Sequence, residues 1–278
     1  MAKRTFLFSI ILSLLLVNYG LPSFAQNYNQ SLKYGRIDWS NGIIESIGEG
    51  IPPSNPANSA QARAVAERKA VEQARRNLLE ILESIHVDSR MLIRDIIDAK
   101  KGLRASLQEL IRKTPVADIS YKENGAVEAT LAVEMNGVLA ELILPGSIRN
   151  IESVVHPNAP DPAKGKGYTG LIIDCRGFHV KPALVPIVQD EEGQVVYGPA
   201  YVSREYAVRK GVARYVPDLE AAKACKRVAG NPLIIKGVRK AGGGISDVVI
   251  SNSDAAKIRG TPRHLSLLQK CKVVLVID

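Results

Sequence analysis

The sequence predicts an α+β fold made of two small domains. Hydrophobic residues make up 46% of the 278 residues and charged residues 23%, which is typical of a globular chain and not of a disordered or multi-span membrane protein. Runs with strand alternation and runs with helical periodicity follow one another in blocks, as in α+β folds. Residues 146–167 are rich in proline and glycine and predict a linker between the two units.

Residues 1–25 have the features of a secretory signal peptide. Lys3 and Arg4 give a basic start, residues 6–17 form an apolar run, and residues 23–25 give a small-x-small cleavage site. The apolar run is shorter than the roughly 20 residues that a transmembrane helix needs. We therefore expect export across the inner membrane, removal of this segment, and a mature chain without a transmembrane segment.

Residues 26–35 are polar and predict a mobile lead, and residues 36–145 predict the first domain. Asn-Gly dipeptides favour the tight turn of a β-hairpin, and two of them stand between strand-like runs. Helical periodicity fills the sequence between these hairpins, and Gly102 is expected to bend or divide its second half. The predicted order is β-β-α-α-β-β, with strands at 37–39 and 43–47, helices from 58 or 59 to about 85 and from 91 to 113, and strands at 117–121 and 127–133.

Residues 168–278 predict a second domain with a mixed sheet and a few helices. Residues 171–175 form a continuous apolar run, which is typical of a strand covered on both faces. The segment 201–215 is ambiguous between strand and helix. The other predicted elements are strands at 183–189, 194–197, 233–238, 247–251 and 272–277 and helices at 219–228, 254–259 and 265–270.

The three cysteines of an exported chain allow at most one intramolecular disulfide. Cys175 lies in the apolar run, where a free thiol packs as a small hydrophobic side chain. Cys225 falls on a predicted helix and Cys271 opens the last predicted strand, so a helix packed on its sheet could bring the two together. Two alternatives stay open, a Cys225–Cys271 bridge or three free buried thiols.

The net charge is unevenly distributed along the chain. Residues 26–146 have 15 basic and 16 acidic side chains, whereas residues 147–278 have 20 and 12. Outside the cytoplasm the available anions are lipid head groups, lipopolysaccharide, wall polymers and acidic protein surfaces; alternatively, the charge serves solubility alone. The low aromatic content of 5% argues against nucleic acid as a partner. The predicted anion or partner surface comprises Arg204, Arg209, Lys210, Arg214, Lys236, Arg239 and Lys240, and a further basic cluster comprises Lys223, Lys226 and Arg227.

The sequence has no catalytic motif that names a reaction, and we predict no enzymatic activity, no cofactor and no bound metal. The four histidines are scattered without the spacing of metal ligands. Residues 242–244 are glycines but lack the following Lys-Ser/Thr of a phosphate-binding loop, so we interpret them as a flexible hairpin tip. A periplasmic hydrolase with a site near Asp174, Cys175 and His179 is a minor alternative.

Two stretches carry a resemblance to known families. In the first, Trp39, Asn41-Gly42 and Pro52-Pro53 precede a helix whose small face is formed by Ala62, Ala64, Ala66, Ala70 and Ala74. On these residues, the segment 36–145 resembles the Lpp-twenty lipoprotein family and the N-terminal domain of flagellar assembly protein T. The second stretch, residues 168–177 with Lys181-Pro182, looks like the domain that follows in bacterial envelope proteins of this type.

The resemblance implies a bacterial envelope protein, periplasmic or associated with the outer membrane, with a structural role. No cysteine follows the signal peptide as a lipid acceptor, so the soluble flagellar-type relatives fit better than the lipoproteins. We therefore expect a non-catalytic periplasmic protein that assembles with other envelope proteins, at the flagellar motor base or the outer membrane, or with copies of itself. The alternative function is a periplasmic module that binds lipopolysaccharide or wall polymer through the basic second domain.

Overall fold

The computed structural model describes residues 27–54, 58–149, 167–260 and 262–278. The predicted signal peptide and most of the predicted linker lie outside these ranges. Within them the chain forms two sheets with associated helices, which confirms the predicted α+β fold of two domains.

The first domain contains a five-stranded antiparallel sheet. Its strands are β1 (Asn29–Leu32), β2 (Gly35–Asp38), β3 (Ile43–Gly50), β4 (Val116–Tyr121) and β5 (Val127–Glu134). Their order is β1-β2-β3-β5-β4, so β3 and β5 are central. Both predicted hairpins are present, but their loops are longer than the tight Asn-Gly turn that was predicted: residues 39–42 join β2 to β3, and residues 122–126 join β4 to β5. Gly42 and Gly125 have φ angles of 74° and 81°, which favour glycine.

The first strand corrects the prediction of a mobile lead. Asn29–Leu32 pairs antiparallel with β2 along its whole length, within the segment 26–35. The side chains of β1 are exposed or only partly buried, as an edge strand tolerates. Because this strand is held mainly by backbone hydrogen bonds, its sequence has no hydrophobic pattern that would predict it.

The long helix α1 (Ser59–Glu83) confirms the predicted first helix. It begins at Asn58, whose side chain accepts a hydrogen bond from the backbone N–H of Gln61 at 2.8 Å. Its buried small face packs against β3 and β5 and contains Ala66, Ala70 and Ala74.

Glycines of β3 face this alanine stripe. A Cβ atom at Gly48 would collide with the backbone of Ala70 and Ala74, and one at Gly50 would collide with the backbone of Ala66 and Ala70. The small residues on both elements therefore let the helix lie unusually close to the strand.

Three shorter helices complete the helical layer of the first domain. They are α2 (Ile93–Ala99), α3 (Leu103–Lys113) and α4 (Val138–Ile143). Gly102, at a φ of 86°, separates α2 from α3 as predicted, whereas α4 was not expected. Ile148 is buried in the same core, so the first domain extends beyond residue 145 and includes the first residues of the predicted linker.

The second domain contains a seven-stranded mixed sheet, as predicted. Its strands are β6 (Leu171–Asp174), β7 (Val188–Gln189), β8 (Val195–Tyr197), β9 (Arg214–Val216), β10 (Leu233–Lys240), β11 (Val248–Ile250) and β12 (Val273–Val276). Their order is β8-β7-β11-β10-β6-β12-β9. The four strands β10, β6, β12 and β9 run parallel to one another, which places the apolar β6 in the covered centre of the sheet.

The helices of the second domain are α5 (Arg204–Lys210), α6 (Leu219–Ala224), α7 (Asn252–Arg259) and α8 (Pro262–Gln269). The ambiguous segment 201–215 contains both types of structure, because α5 is followed directly by β9. The helix predicted to reach residue 228 is shorter, since the backbone turns to an extended conformation at Cys225.

The strand predicted at 183–189 is also shorter and keeps only its last two residues. The backbone N–H groups of Leu184 and Val185 donate to the carbonyls of His86 and Val87 in the first domain, at 2.9 and 2.8 Å. This segment therefore bonds across the domain boundary and does not extend the hairpin.

One hydrophobic core runs through both domains, with buried members as distant in sequence as Ile44, Leu78, Tyr197 and Leu275. At the boundary, Trp39 packs edge-on against Tyr215 with ring centroids 5.6 Å apart. A separate, smaller cluster lies under α6 on the opposite face of the second sheet, and its members are Ile172, Val216, Ala221, Ala222, Val228, Val274 and Val276.

Polar contacts reinforce the joint between the domains. The hydroxyls of Ser89 and Ser246 are buried and lie 2.8 Å apart. Ser40 Oγ donates to the carbonyl of Tyr215 at 2.7 Å. Across the described ranges, none of the helices combines the length and the apolar character needed to span a membrane.

Candidate functional site

An open cleft of about 540 Å³, here named the interdomain cleft, lies between the two domains. Its first-domain wall carries the side chains of Asn27, Ser40, Asn41 and Asn136. Its second-domain wall carries five basic side chains, those of Arg209, Lys210, Arg214, Lys226 and Arg227. None of the aspartates and glutamates in the described part of the chain lines this cleft, so its wall combines positive charge with neutral polar groups.

Three elements of the second domain bring the basic side chains together. Arg209 and Lys210 end α5, Arg214 begins β9, and Lys226 and Arg227 follow α6. The chain reverses after α5 at Gly211, which has a φ of 75°, and thus returns β9 beside the end of that helix. Because α6 packs on β9, the residues after α6 reach the same place.

Arg227 is held from behind by backbone carbonyls. Its guanidinium donates to the carbonyl of Cys271 at 2.7 Å and to that of Gly211 at 3.0 Å, and also to that of Lys210. Burial, and next the charge of Arg214, lower its pKa to about 10. The side chain is therefore still a cation at neutral pH, and its hydrogen bonds in the described structure go to carbonyls and not to carboxylates.

Arg214 also lines the cleft, close enough to Arg227 for their charges to interact, and it is also partly buried. Burial lowers the pKa of its guanidinium, and the more weakly acting Cys225, Asp38 and Glu134 oppose this shift. Its guanidinium lies against Gly42, where a Cβ atom would collide with it. The two arginines thus place like charges close together, and within the described residues neither forms an ion pair with a carboxylate.

The structure divides the predicted basic surface among three places. Arg209, Lys210 and Arg214 line the interdomain cleft. Arg204 instead joins the domains, because its guanidinium lies 3.1 Å from the Glu141 carboxylate and donates to the carbonyl of that residue. The remaining predicted residues, Lys236, Arg239 and Lys240, lie on β10 away from the cleft.

Sequence reasoning left two residues of the cleft, Lys226 and Arg227, out of the predicted surface. They stood out only as a local basic cluster after a predicted helix. Their place in the cleft follows from the packing of α6 on β9, which the spacing of charges along the chain does not reveal. The neutral wall was missed for the same reason, since it comes from the other domain.

A second feature is the open face of β10, an interior strand of its sheet. Ile234 and Val238 are each 43% exposed, and Lys236 between them is exposed as well. On the neighbouring strand, Ile172 pairs with Ile234 in register and is covered by α6. The cover of this face therefore stops beside β10, which leaves apolar and cationic side chains alternating on an open surface.

The three cysteines are free thiols in the structure, which corresponds to the second of the two alternatives and not to a Cys225–Cys271 bridge. Cys225 packs against the small cluster under α6, whereas Cys271 belongs to the main core on the other face of the sheet. Burial raises the pKa of the Cys271 thiol to about 11. A helix does precede the last strand and pack on its sheet, but on the face away from Cys271.

Of the residues of the minor hydrolase hypothesis, Cys175 is not an activated nucleophile. Cys175 is buried and its pKa is raised to about 12, mainly by that burial, so the thiolate is absent at neutral pH. His179 is exposed and lies 3.5 Å from the carboxylate of Asp278. The carboxylate of Asp174 forms an ion pair with Arg176, with a nitrogen–oxygen distance of 2.7 Å.

Residues 170–278 match the family model of the second domain of Treponema pallidum Tp0624. The matched segment spans nearly all of the second domain and includes the basic wall of the interdomain cleft and the open face of β10. The first-domain wall of the cleft lies outside the match. No curated protein gives a significant match to the chain.

Proposed function

We propose that the protein is a non-catalytic component of the bacterial envelope that assembles with another envelope protein through the open face of β10. The observation that carries this proposal is the exposure of Ile234 and Val238 on an interior strand. Strands of a parallel sheet are normally covered on both faces, and an uncovered apolar face is typical of a protein–protein interface.

The chemistry of this face indicates what covers it. Its apolar side chains alternate with Lys236, and Arg239 and Lys240 add positive charge at the end of the strand. The complementary partner is a segment with apolar and acidic side chains, lying beside α6 where the cover of the sheet stops. Such charge complementarity sets partner choice and association rate more than affinity.

The cellular setting of the proposal comes from the sequence. The secretory signal supports a periplasmic location, and the resemblance of residues 36–145 to the Lpp-twenty and flagellar T families supports a structural role at the outer membrane or the flagellar motor base. The buried thiol of Cys175, with its raised pKa, argues against the Cys175/His179 pair as a catalytic site. The alternative partner for the β10 face is a second copy of this chain, and the experiment must distinguish the two.

The test is site-specific photocrosslinking in cells that express the full chain. A photoreactive residue at position 234 is expected to trap one protein, and a matched residue at Val138, which is 62% exposed in the first domain, is not expected to trap it. Lys236→Glu combined with the probe at 234 should reduce that adduct by about tenfold, because it places a carboxylate opposite an acidic partner.

The outcomes separate the occupants. An adduct specific to position 234, reduced about tenfold by Lys236→Glu, with a partner peptide that carries acidic and apolar residues, supports the proposal. An adduct of the same protein from position 138, or insensitivity to Lys236→Glu, contradicts it. An adduct between two copies of this chain replaces the heterologous partner with a homo-oligomer and also overturns the proposal as stated.

A further inference from the structure

We propose that the interdomain cleft is a binding site for a phosphomonoester group. The site is distinct from the β10 face and does not depend on the function proposed for it. It is formed by Arg214, Arg227, Lys210 and Lys226 on one wall and by polar side chains of the first domain on the other.

The first step of the argument is the contrast with three other arginines of the second domain. Arg204, Arg176 and Arg259 each have a carboxylate partner, at nitrogen–oxygen distances of 3.1, 2.7 and 2.8 Å respectively. Arg214 and Arg227 are partly buried, adjacent and without such a partner in the described ranges. Burying like charges together is unfavourable, and a bound anion relieves it.

The second step concerns the charge of the ligand. Five cations line the cleft, and among the described residues only Arg209 forms an ion pair with a carboxylate, that of Glu205 at 3.4 Å, in an exposed pair that contributes little. Asp38 and Glu134 act on Arg214 more weakly than its burial does. A phosphomonoester carries a charge of about −1.5 to −2 at pH 7 and presents three acceptor oxygens. A carboxylate offers less charge and fewer acceptors, so the phosphomonoester matches this wall better.

The third step is geometric. The Nη1 and Nη2 atoms of Arg227 donate to backbone carbonyls, so this guanidinium is fixed and contributes its positive charge to the cleft. The guanidinium of Arg214 lies against Gly42 and is the one placed to pair with a bound anion. Guanidinium groups bind phosphate oxygens in pairs of parallel hydrogen bonds. Lys210 and Lys226 also line the cleft and add two more positive charges.

The fourth step concerns the size and the neutral wall. A volume of about 540 Å³ is larger than a bare phosphate needs and lies within the range of small-molecule sites. Asn27, Ser40, Asn41 and Asn136 border this space from the first domain, so the rest of the ligand meets a polar, uncharged wall. The ligand is therefore a phosphate attached to a polar body with hydroxyl groups, such as a phosphorylated glycerol or sugar, whether soluble or part of a lipid head group.

The test measures binding to the full mature chain by calorimetry at low salt. Glycerol 3-phosphate and inorganic phosphate are the soluble probes, and vesicles that contain phosphatidic acid present the same group on a membrane. Vesicles with phosphatidylglycerol, a phosphodiester, are the matched negative probe. Binding to glycerol 3-phosphate identifies a soluble source, whereas binding to phosphatidic acid vesicles alone identifies a membrane source, and both support the phosphomonoester site.

Variants locate the site. Arg214→Gln and Lys226→Gln are each expected to weaken binding by about tenfold or more, because each removes a charged donor. Lys240→Gln, at the end of β10, removes the same charge from another surface and should leave the affinity unchanged. Lys226 is exposed, so its variant tests the proposal without a risk to folding.

Three results would overturn the inference: no binding to any phosphomonoester probe, equal binding of phosphatidylglycerol and phosphatidic acid vesicles, or equal losses from Lys226→Gln and Lys240→Gln. The last two would indicate attraction to general negative charge. All three leave the crosslinking test of the β10 face untouched, so the two proposals fail separately.

Discussion

The two sheets of the molecule are covered in different ways. In the first domain, α1 lies tightly on β3 and β5, and the other face of the sheet carries partly buried or exposed residues such as Glu45, Glu49 and Glu128. In the second domain, the main core covers one face completely, but α6 covers only part of the other. There the exposed residues are apolar as well as charged, as Ile234 and Val238 show.

This difference separates stability from function. The first sheet buries its apolar face within the domain and turns a largely charged face to water, on which Ile47 is 39% exposed. The second sheet leaves two surfaces without a partner in the described structure: the apolar side chains on β10 are not covered, and the cations at the β9 edge have few acidic partners. We infer that the first domain mainly holds structure and supplies one wall of the cleft, whereas the second domain supplies most of the binding chemistry.

The largest expected effect comes from the residue that joins the two sheets. Trp39→Ala should lower the free energy of unfolding by about 3–5 kcal/mol, because the indole is only 4% exposed and packs on Tyr215. Urea unfolding followed by far-UV circular dichroism measures this loss. The wild-type chain should unfold in one transition, and the variant in two.

Trp39→Phe is the control for this prediction. It keeps an aromatic ring against Tyr215 but removes the hydrogen bond from the indole to Gln30, so the loss should be clearly smaller. If the alanine variant costs less than about 1 kcal/mol, or leaves a single transition, the two sheets do not depend on this contact.

A smaller effect is expected where α1 seals the first sheet. Gly48→Ala should destabilise the chain by about 1–3 kcal/mol, because the added methyl meets helix backbone that cannot rotate away. Gly146→Ala is the matched control, since a Cβ there meets nothing within 4 Å, and its effect should stay within about 0.5 kcal/mol. Thermal and urea unfolding give both values, and equal losses would contradict the close contact.

The smallest expected effect is a difference in cysteine reactivity between the two faces of the second sheet. At pH 8, iodoacetamide should label only Cys225 in the folded protein, because the pKa values of Cys175 and Cys271 are raised to about 12 and about 11 and their thiols stay protonated. Labelling of these two should rise only as the pH approaches those values. Mass spectrometry counts the adducts.

The denatured, unreduced protein provides the control for the thiols. It should take up three labels if all cysteines are free, as in the structure. Uptake of one label would restore the Cys225–Cys271 bridge and would mean that α6 and the turn before β12 lie differently in the oxidised protein.

Local sequence signals predicted much of the fold. Asn41-Gly42 and Asn124-Gly125 each indicate a hairpin loop in which the glycine has a positive φ angle. Asn58 caps a helix, and Gly102 separates two helices. Each of these features can be identified within a few residues. The strand β1 and the helix α4 were not predicted because their stability depends on neighbours. The segment 183–187 was misassigned because its backbone bonds to the other domain.

The candidate site was predictable only in part. The excess of basic residues after residue 147 pointed to the second domain, and three of the seven predicted residues do line the cleft. Arg204 and Arg214 are both arginines of the predicted basic surface. Arg204 joins the two domains because its guanidinium forms an ion pair with Glu141, whereas Arg214 lines the cleft. The neutralisation of Arg204 depends on a contact between residues 63 positions apart, which the local sequence around Arg204 does not reveal.

The contact around Arg204 has a consequence for recognition. Its backbone N–H donates to the carbonyl of Arg149, and its guanidinium reaches Pro145 and Glu141, so the end of the first domain is fastened to α5. The same short helix ends with Arg209 and Lys210 in the cleft. Because the fastening holds both walls at a fixed separation, a ligand meets a preformed receptor and loses little affinity to ordering it. We expect rigid, lock-and-key association with little movement of the backbone on binding.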